Sequence, residues 1–94
     1  MKTAVVFKKI YFFNIGENPI VEINAIFPDE IQAVVNGEKH YLGYAHIGQH
    51  TEIHEDFLNC SEVGNHKVVP ATPEEYAELK AELESIGYEL EILN

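Results

Sequence analysis

The sequence predicts an α+β domain: an antiparallel sheet of four or five strands, one C-terminal helix on one face, and a final strand returning to the sheet. Three observations lead there. The first half is rich in Val, Ile and aromatic residues in short runs separated by turn residues. Thr72-Pro73-Glu74-Glu75 opens a stripe of apolar residues at helical spacing. Directly after Gly87 the apolar period falls from 3.6 to two.

Residues 3–13 read as the first strand, with Lys8 and Lys9 interrupting its apolar run. Ile15 to Pro19 reads as a turn. A second strand follows from Ile20 to Phe27, with Val21, Ile23, Ala25 and Phe27 on one face and Glu22 and Asn24 on the other. Pro28-Asp29 ends it. Asn36-Gly37 is a two-residue hairpin signal joining Ile31–Val35 to Lys39–Ile47. In the latter, Tyr41, Gly43, Ala45 and Ile47 share one face and Leu42, Tyr44 and His46 the other. The small Gly43 and Ala45 predict that the helix lies over their face. Val6, Ile20, Ile26, Leu42 and Tyr44 are then left open, an apolar row of the kind that marks an interface. Residues 48–69 have no clear period: Thr51–Asn59 reads as a short helix or an irregular segment, and Ser61–Asn65 as loop.

The helix is expected over 73–86. Thr72 caps it, Pro73 suits its first position, and Glu75 reaches back to complete a capping box. Tyr76, Leu79, Leu83 and Ile86 form its buried stripe, and Gly87 stops it. In the last strand Tyr88, Leu90 and Ile92 alternate with Glu89 and Glu91.

Ninety-four residues make a single domain, 1–94. One cysteine, Cys60, allows no internal disulfide framework, and no stretch has the apolar length of a signal peptide core or a membrane span. A cytoplasmic protein with no membrane contact is therefore expected. The net charge of −10 is concentrated in residues 52–94, where eleven Asp or Glu face only Lys67 and Lys80. Arginine is absent, so gripping nucleic-acid phosphates directly is not expected.

Chemistry-bearing residues cluster at His40, His46, His50 and His54. At four-residue spacing on a helix such imidazoles meet and hold zinc, and His46, His50 and His54 are the metal candidates. Gly48 and the strand preceding it oppose that geometry. No nucleophile elbow, phosphate loop or dinucleotide fingerprint is present, and no catalytic residue is assigned.

Tyr44-Ala45-His46-Ile47-Gly48-Gln49-His50, followed by Pro70-Ala71-Thr72-Pro73-Glu74-Glu75-Tyr76, resembles a set of small uncharacterised bacterial and phage-associated proteins carrying Y-x-H-x-G-Q-H and P-A-T-P-E-E-Y. The resemblance implies a single-domain protein of phage or mobile-element origin, with His46, Gln49 and His50 as its notable positions. The expectation for function is a non-catalytic binding or interaction module with a protein partner or a second copy of itself. Its binding candidates are Tyr44, His46, Gln49 and His50, and no cofactor is expected. The alternatives are a histidine-centred zinc or hydrolytic site, and an acidic mimic of nucleic acid.

Overall fold

The computed structural model describes residues 1–13, 18–45 and 48–94. Its strands are β1 (Thr3–Phe12), β2 (Ile20–Val35), β3 (Glu38–Ala45), β4 (Gln49–His54), β5 (Glu62–Val63), β6 (His66–Pro70) and β7 (Leu90–Ile92). The helices among the described residues are the single turn α1 (Asp56–Asn59) and α2 (Pro73–Ser85). The strands form one curled sheet in the order β4-β3-β2-β1-β6-β5, and β7 joins β1 in parallel.

This overturns the α+β expectation. Strand accounts for 57% of the described residues and helix for 19%, so the fold is β-dominated, with seven strands rather than four or five. The extra strands come from the stretch without a clear period. Residues 49–54 pair along β3, and 62–63 with 66–70 form a hairpin around Gly64, whose φ is +60°. Pro28 also fails to end a strand. β2 runs on to Val35 because its register with β3 shifts between Phe27 and Ile31, and a proline without an N–H fits such a break.

The helix start forms as expected. The Glu75 N–H donates to Thr72 Oγ1 (3.3 Å) and the Thr72 N–H donates to Glu75 Oε1 (3.0 Å). Glu75 also pairs with Lys9 of β1, which docks the first turn of α2 on the sheet and draws the Glu75 carboxyl below its usual range. Tyr76, Leu79 and Leu83 are buried, whereas Ile86 caps the helix and stays about half exposed.

The face that α2 covers is the reverse of the expected one. Val5, Phe7, Ala25, Phe27 and Tyr44 form the core with Tyr76, Leu79 and Leu83, and Leu42 packs at its edge. The Leu42–Tyr44 row is therefore under the helix. Gly43 is small for a different reason: a Cβ there would come within 2.1 Å of Ile53 Cδ1 on the neighbouring strand. The apolar row expected to stay open is divided, since Ile26 and Tyr44 are buried and only Ile20 of the described set is strongly exposed.

The lane beside β1 is filled by two strands of opposite direction. β6 runs antiparallel to Lys8–Tyr11 and β7 runs parallel to Thr3–Val5. Both approach Phe7. The Asn94 side chain occupies the space between them: its Oδ1 accepts from the Phe7 N–H (2.8 Å), and its Nδ2 donates to the carbonyls of Phe7 (2.8 Å) and Ala71 (3.0 Å).

Candidate functional site

Strand alternation places Ile10, Phe12, Glu22 and Asn24 on the face opposite Phe7 and Ala25, and the β1–β2 register sets Ile10 directly across from Glu22. The chain then leaves β4 and turns through α1, whose Phe57 reaches the wall that Ile10 and Phe12 build. A cleft of about 330 Å³ results, lined by Ile10, Phe12, Glu22, Asn24 and Phe57 together with His40, Glu52, Ile53 and His54 of the β3–β4 pair. Phe12 is fixed edge-on against the His66 ring (4.7 Å between centroids), which also stacks on Phe57 at 6.4 Å.

Asn24 is the unusual member. It is 7% exposed in the middle of a central strand and lines the wall of the cleft. Its amide carries a donor and an acceptor that a group entering the cleft can use. Glu22, two residues away on the same face, is exposed and has no ion-pair partner among the described residues.

The two histidines on the cleft are held by carboxylates. His40 Nδ1 lies 3.3 Å from Glu52 Oε1, and the His40 and His54 rings meet edge to face at 5.1 Å. His54 Nε2 lies 2.9 Å from Glu38 Oε2, while its Nδ1 accepts from the Asp56 N–H at 3.1 Å. In the neutral ring that pattern places the proton on Nε2, and the Asp56 carboxylate, 3.5 Å from Nδ1, can receive a second one there. The bond to Glu38 raises the His54 pKa above its ordinary value, with Asp56 and Glu55 adding to the effect against partial burial.

Two of the three metal candidates stand apart. His50 and His54 are four residues apart on a strand, not a helix, which sets them roughly 13 Å apart. Among the described residues no three His, Cys, Asp or Glu stand together as ligands, and His46 lies outside them. Of the expected binding residues, Tyr44 and His50 stand together. Tyr44 is 3% exposed beneath α2, its phenol pushed up by burial and by the nearby Glu82 carboxylate. His50 packs edge-on against Tyr44 and is 2.7 Å from the Tyr88 hydroxyl, while Tyr88 stacks on Phe27. Gln49 is exposed at the start of β4.

Of the cleft residues, sequence reasoning singled out His40 and His54, with Glu52 as a carboxylate that could complete a zinc site. Glu22 and Asn24 alternate with a buried row and read as the wet face of a strand. The available signal was Asn24 itself, a residue disfavoured in strands sitting at the centre of one. Cys60 is exposed, 3.9 Å from Asp56 Oδ1. No helix among the described residues is long and apolar enough to cross a membrane. No family model, curated protein or solved structure matches the chain.

Proposed function

We propose that this chain is a non-catalytic binding module and that the cleft between β1, β2, β4 and α1 is its ligand site. The observation that carries the reading is the cleft itself, largely apolar in its walls and holding the nearly buried Asn24 among them. Ligand sites commonly combine apolar walls with a few placed polar groups, and a volume near 330 Å³ falls at the small end of their range. Ile10, Phe12, Ile53 and Phe57 supply the walls; Asn24 and Glu22 supply polar groups. A small organic molecule fits better than a macromolecule, whose stable interface requires far more surface.

The test is a titration of ¹⁵N-labelled protein with a panel of small aromatic and alkyl fragments. Binders are expected to shift the Asn24 side-chain amide and the backbone amides of Ile10, Ile53 and Phe57, and to lose affinity in Asn24→Leu. Fragments that shift only residues elsewhere, or none at all, would remove the reading.

A hydrolytic alternative has one observation in its favour: His40 and His54 are imidazoles oriented by carboxylates at a cleft, a general-base arrangement. Recovering a bound ester or amide probe unchanged after long incubation separates binding from hydrolysis.

A further inference from the structure

We propose that this chain forms a dimer by pairing the outer edge of β2, around Ala33, antiparallel with the same edge of a second copy. The surface is separate from the cleft, and neither reading depends on the other. β1 pairs with β2 only from Ile20 to Ile26. From Ile31 to Val35 the ladder of β2 runs along β3 alone among the described residues, so the opposite edge of that stretch has no strand beside it. The two-residue turn Asn36-Gly37, with φ of +52° and +80°, fixes which peptide groups face that way. A turn of this length makes Val35 and Glu38 a hydrogen-bonded pair and Val34 and Lys39 a non-bonded one, which turns the Val34 N–H and C=O outward. Gln32 falls in the register shift between Ile31 and Ala33 and has no partner residue on β3.

Side chains and charge together select a second copy as the occupant. Ile31, Val34 and Val35 are 49%, 63% and 50% exposed along this edge. With Ala33 on a two-fold axis, Ile31 of one copy lies opposite Val35 of the other, and Val34 opposite Gln32. Ala33 then meets itself at a non-hydrogen-bonded position, where strands come closest and a small side chain fits. A chain of net charge −10 repels its own copy, yet residues 31–37 contain no charged side chain. In the same register Glu30 lies opposite Asn36 rather than opposite Glu30, so like charges do not face each other across the pair. An unrelated strand would bond the same peptide groups without this matching. Because β3 already occupies the other edge of each β2, the contact closes at two copies.

The experiment is sedimentation equilibrium of the full chain from low micromolar to millimolar concentration, with amide hydrogen exchange followed by NMR over the same range. The strip is short, so the expected dissociation constant is on the order of 10–100 µM. Added salt should tighten the dimer by screening the net charge. Exchange at the Val34 amide should slow severalfold as the concentration rises. Val34→Pro removes the outward N–H without removing a bond to β3, and Val34→Lys places a charge on the edge; each should weaken the dimer at least about tenfold. Because Val34 is exposed, Val34→Lys should melt at the temperature of the unaltered monomer, which separates lost pairing from lost folding. A protein that stays monomeric to millimolar concentration overturns the proposal and leaves the edge to another chain or to water. A dimer that survives Val34→Lys, or a Val34 amide whose exchange ignores concentration, overturns it as well. None of these results bears on the cleft, which the fragment titration tests separately.

Discussion

Adding one methyl group at Gly43 tests the packing of the sheet and the shape of the cleft at once. Gly43 lies within β3 at an ordinary strand conformation, so an alanine there should by itself stabilise the protein by about 0.5–1 kcal/mol through lower unfolded-state entropy. The structure predicts the opposite sign. The new Cβ would stand 2.1 Å from Ile53 Cδ1, 2.7 Å from Ile53 Cγ1 and 3.1 Å from the Ala25 carbonyl oxygen. The Ile53 side chain can move, but the Ala25 carbonyl belongs to the central strand and yields little. Forcing a methyl into packed surroundings costs about 1–3 kcal/mol, which exceeds the entropic gain. Set against that gain, the net loss of up to about 2.5 kcal/mol corresponds, for a domain of this size, to a fall in melting temperature of up to roughly 20 °C. Thermal unfolding by circular dichroism reads it directly. Ile53→Ala removes both of the closest atoms, so the double variant should recover at least about 1 kcal/mol of the loss expected from adding the two single effects. Because Ile53 also lines the cleft, Gly43→Ala should weaken fragment binding there as Ile53 swings aside. Unchanged or raised stability in Gly43→Ala, or strict additivity with Ile53→Ala, would refute this account of the glycine.

Thr72→Ala should cost about 1 kcal/mol by removing the side-chain half of the capping box, read from denaturant midpoints at constant m-value. Asn24→Leu should abolish cleft binding in the fragment titration, since it exchanges a polar group on the wall for an apolar side chain of similar volume; undiminished binding would remove Asn24 from the site. Asn94→Ala should destabilise by about 1–3 kcal/mol and speed hydrogen exchange at the Phe7 amide, with protection elsewhere in β1 less affected. For His54 the folded pKa lies above its unfolded value near 6.5, so its bond to Glu38 contributes stability in full below about pH 6.5 and loses it as pH rises through the folded pKa. Titrating its ring proton by NMR should give a pKa above 6.5 that drops in Glu38→Gln; a value at or below 6.5 in the unaltered protein would contradict the geometry.

The parts of the fold that were legible in the sequence were those written in local chemistry. The capping box at Thr72, the stripe Tyr76–Leu79–Leu83, the Asn36-Gly37 turn and the alternation through Leu90 and Ile92 each depend on neighbours a few residues away. What was not legible depends on which strand comes alongside. β4 alternates Gln49, Thr51 and Ile53 with His50, Glu52 and His54; neither row is plainly apolar, and the histidines drew the eye toward a ligand cluster instead of a strand edge. The vacant side of Gly43 could have admitted a helix or a neighbouring isoleucine, and only the pairing of β3 with β4 decides between them. Asn24 carries the same lesson for the site. Its polarity reads as exposure, yet it is 7% exposed on the wall of a cleft that Phe57, more than thirty residues later, also lines.

The meeting of β6 and β7 at Phe7 has a consequence for how the sheet resists association with other chains. A strand flank with one missing residue presents a free N–H and C=O, the pattern that recruits a foreign strand. At Phe7 that vacancy is closed by a single side-chain amide, which imitates a peptide group without belonging to any strand. Two segments running in opposite directions are thereby joined into one continuous border along β1. When Asn94 swings out, the border opens at its midpoint rather than fraying from an end, and the exposed site is flanked by the buried Val5 and Phe7. The tendency of this protein to self-associate under stress should therefore follow the opening of one asparagine rather than the melting of the domain.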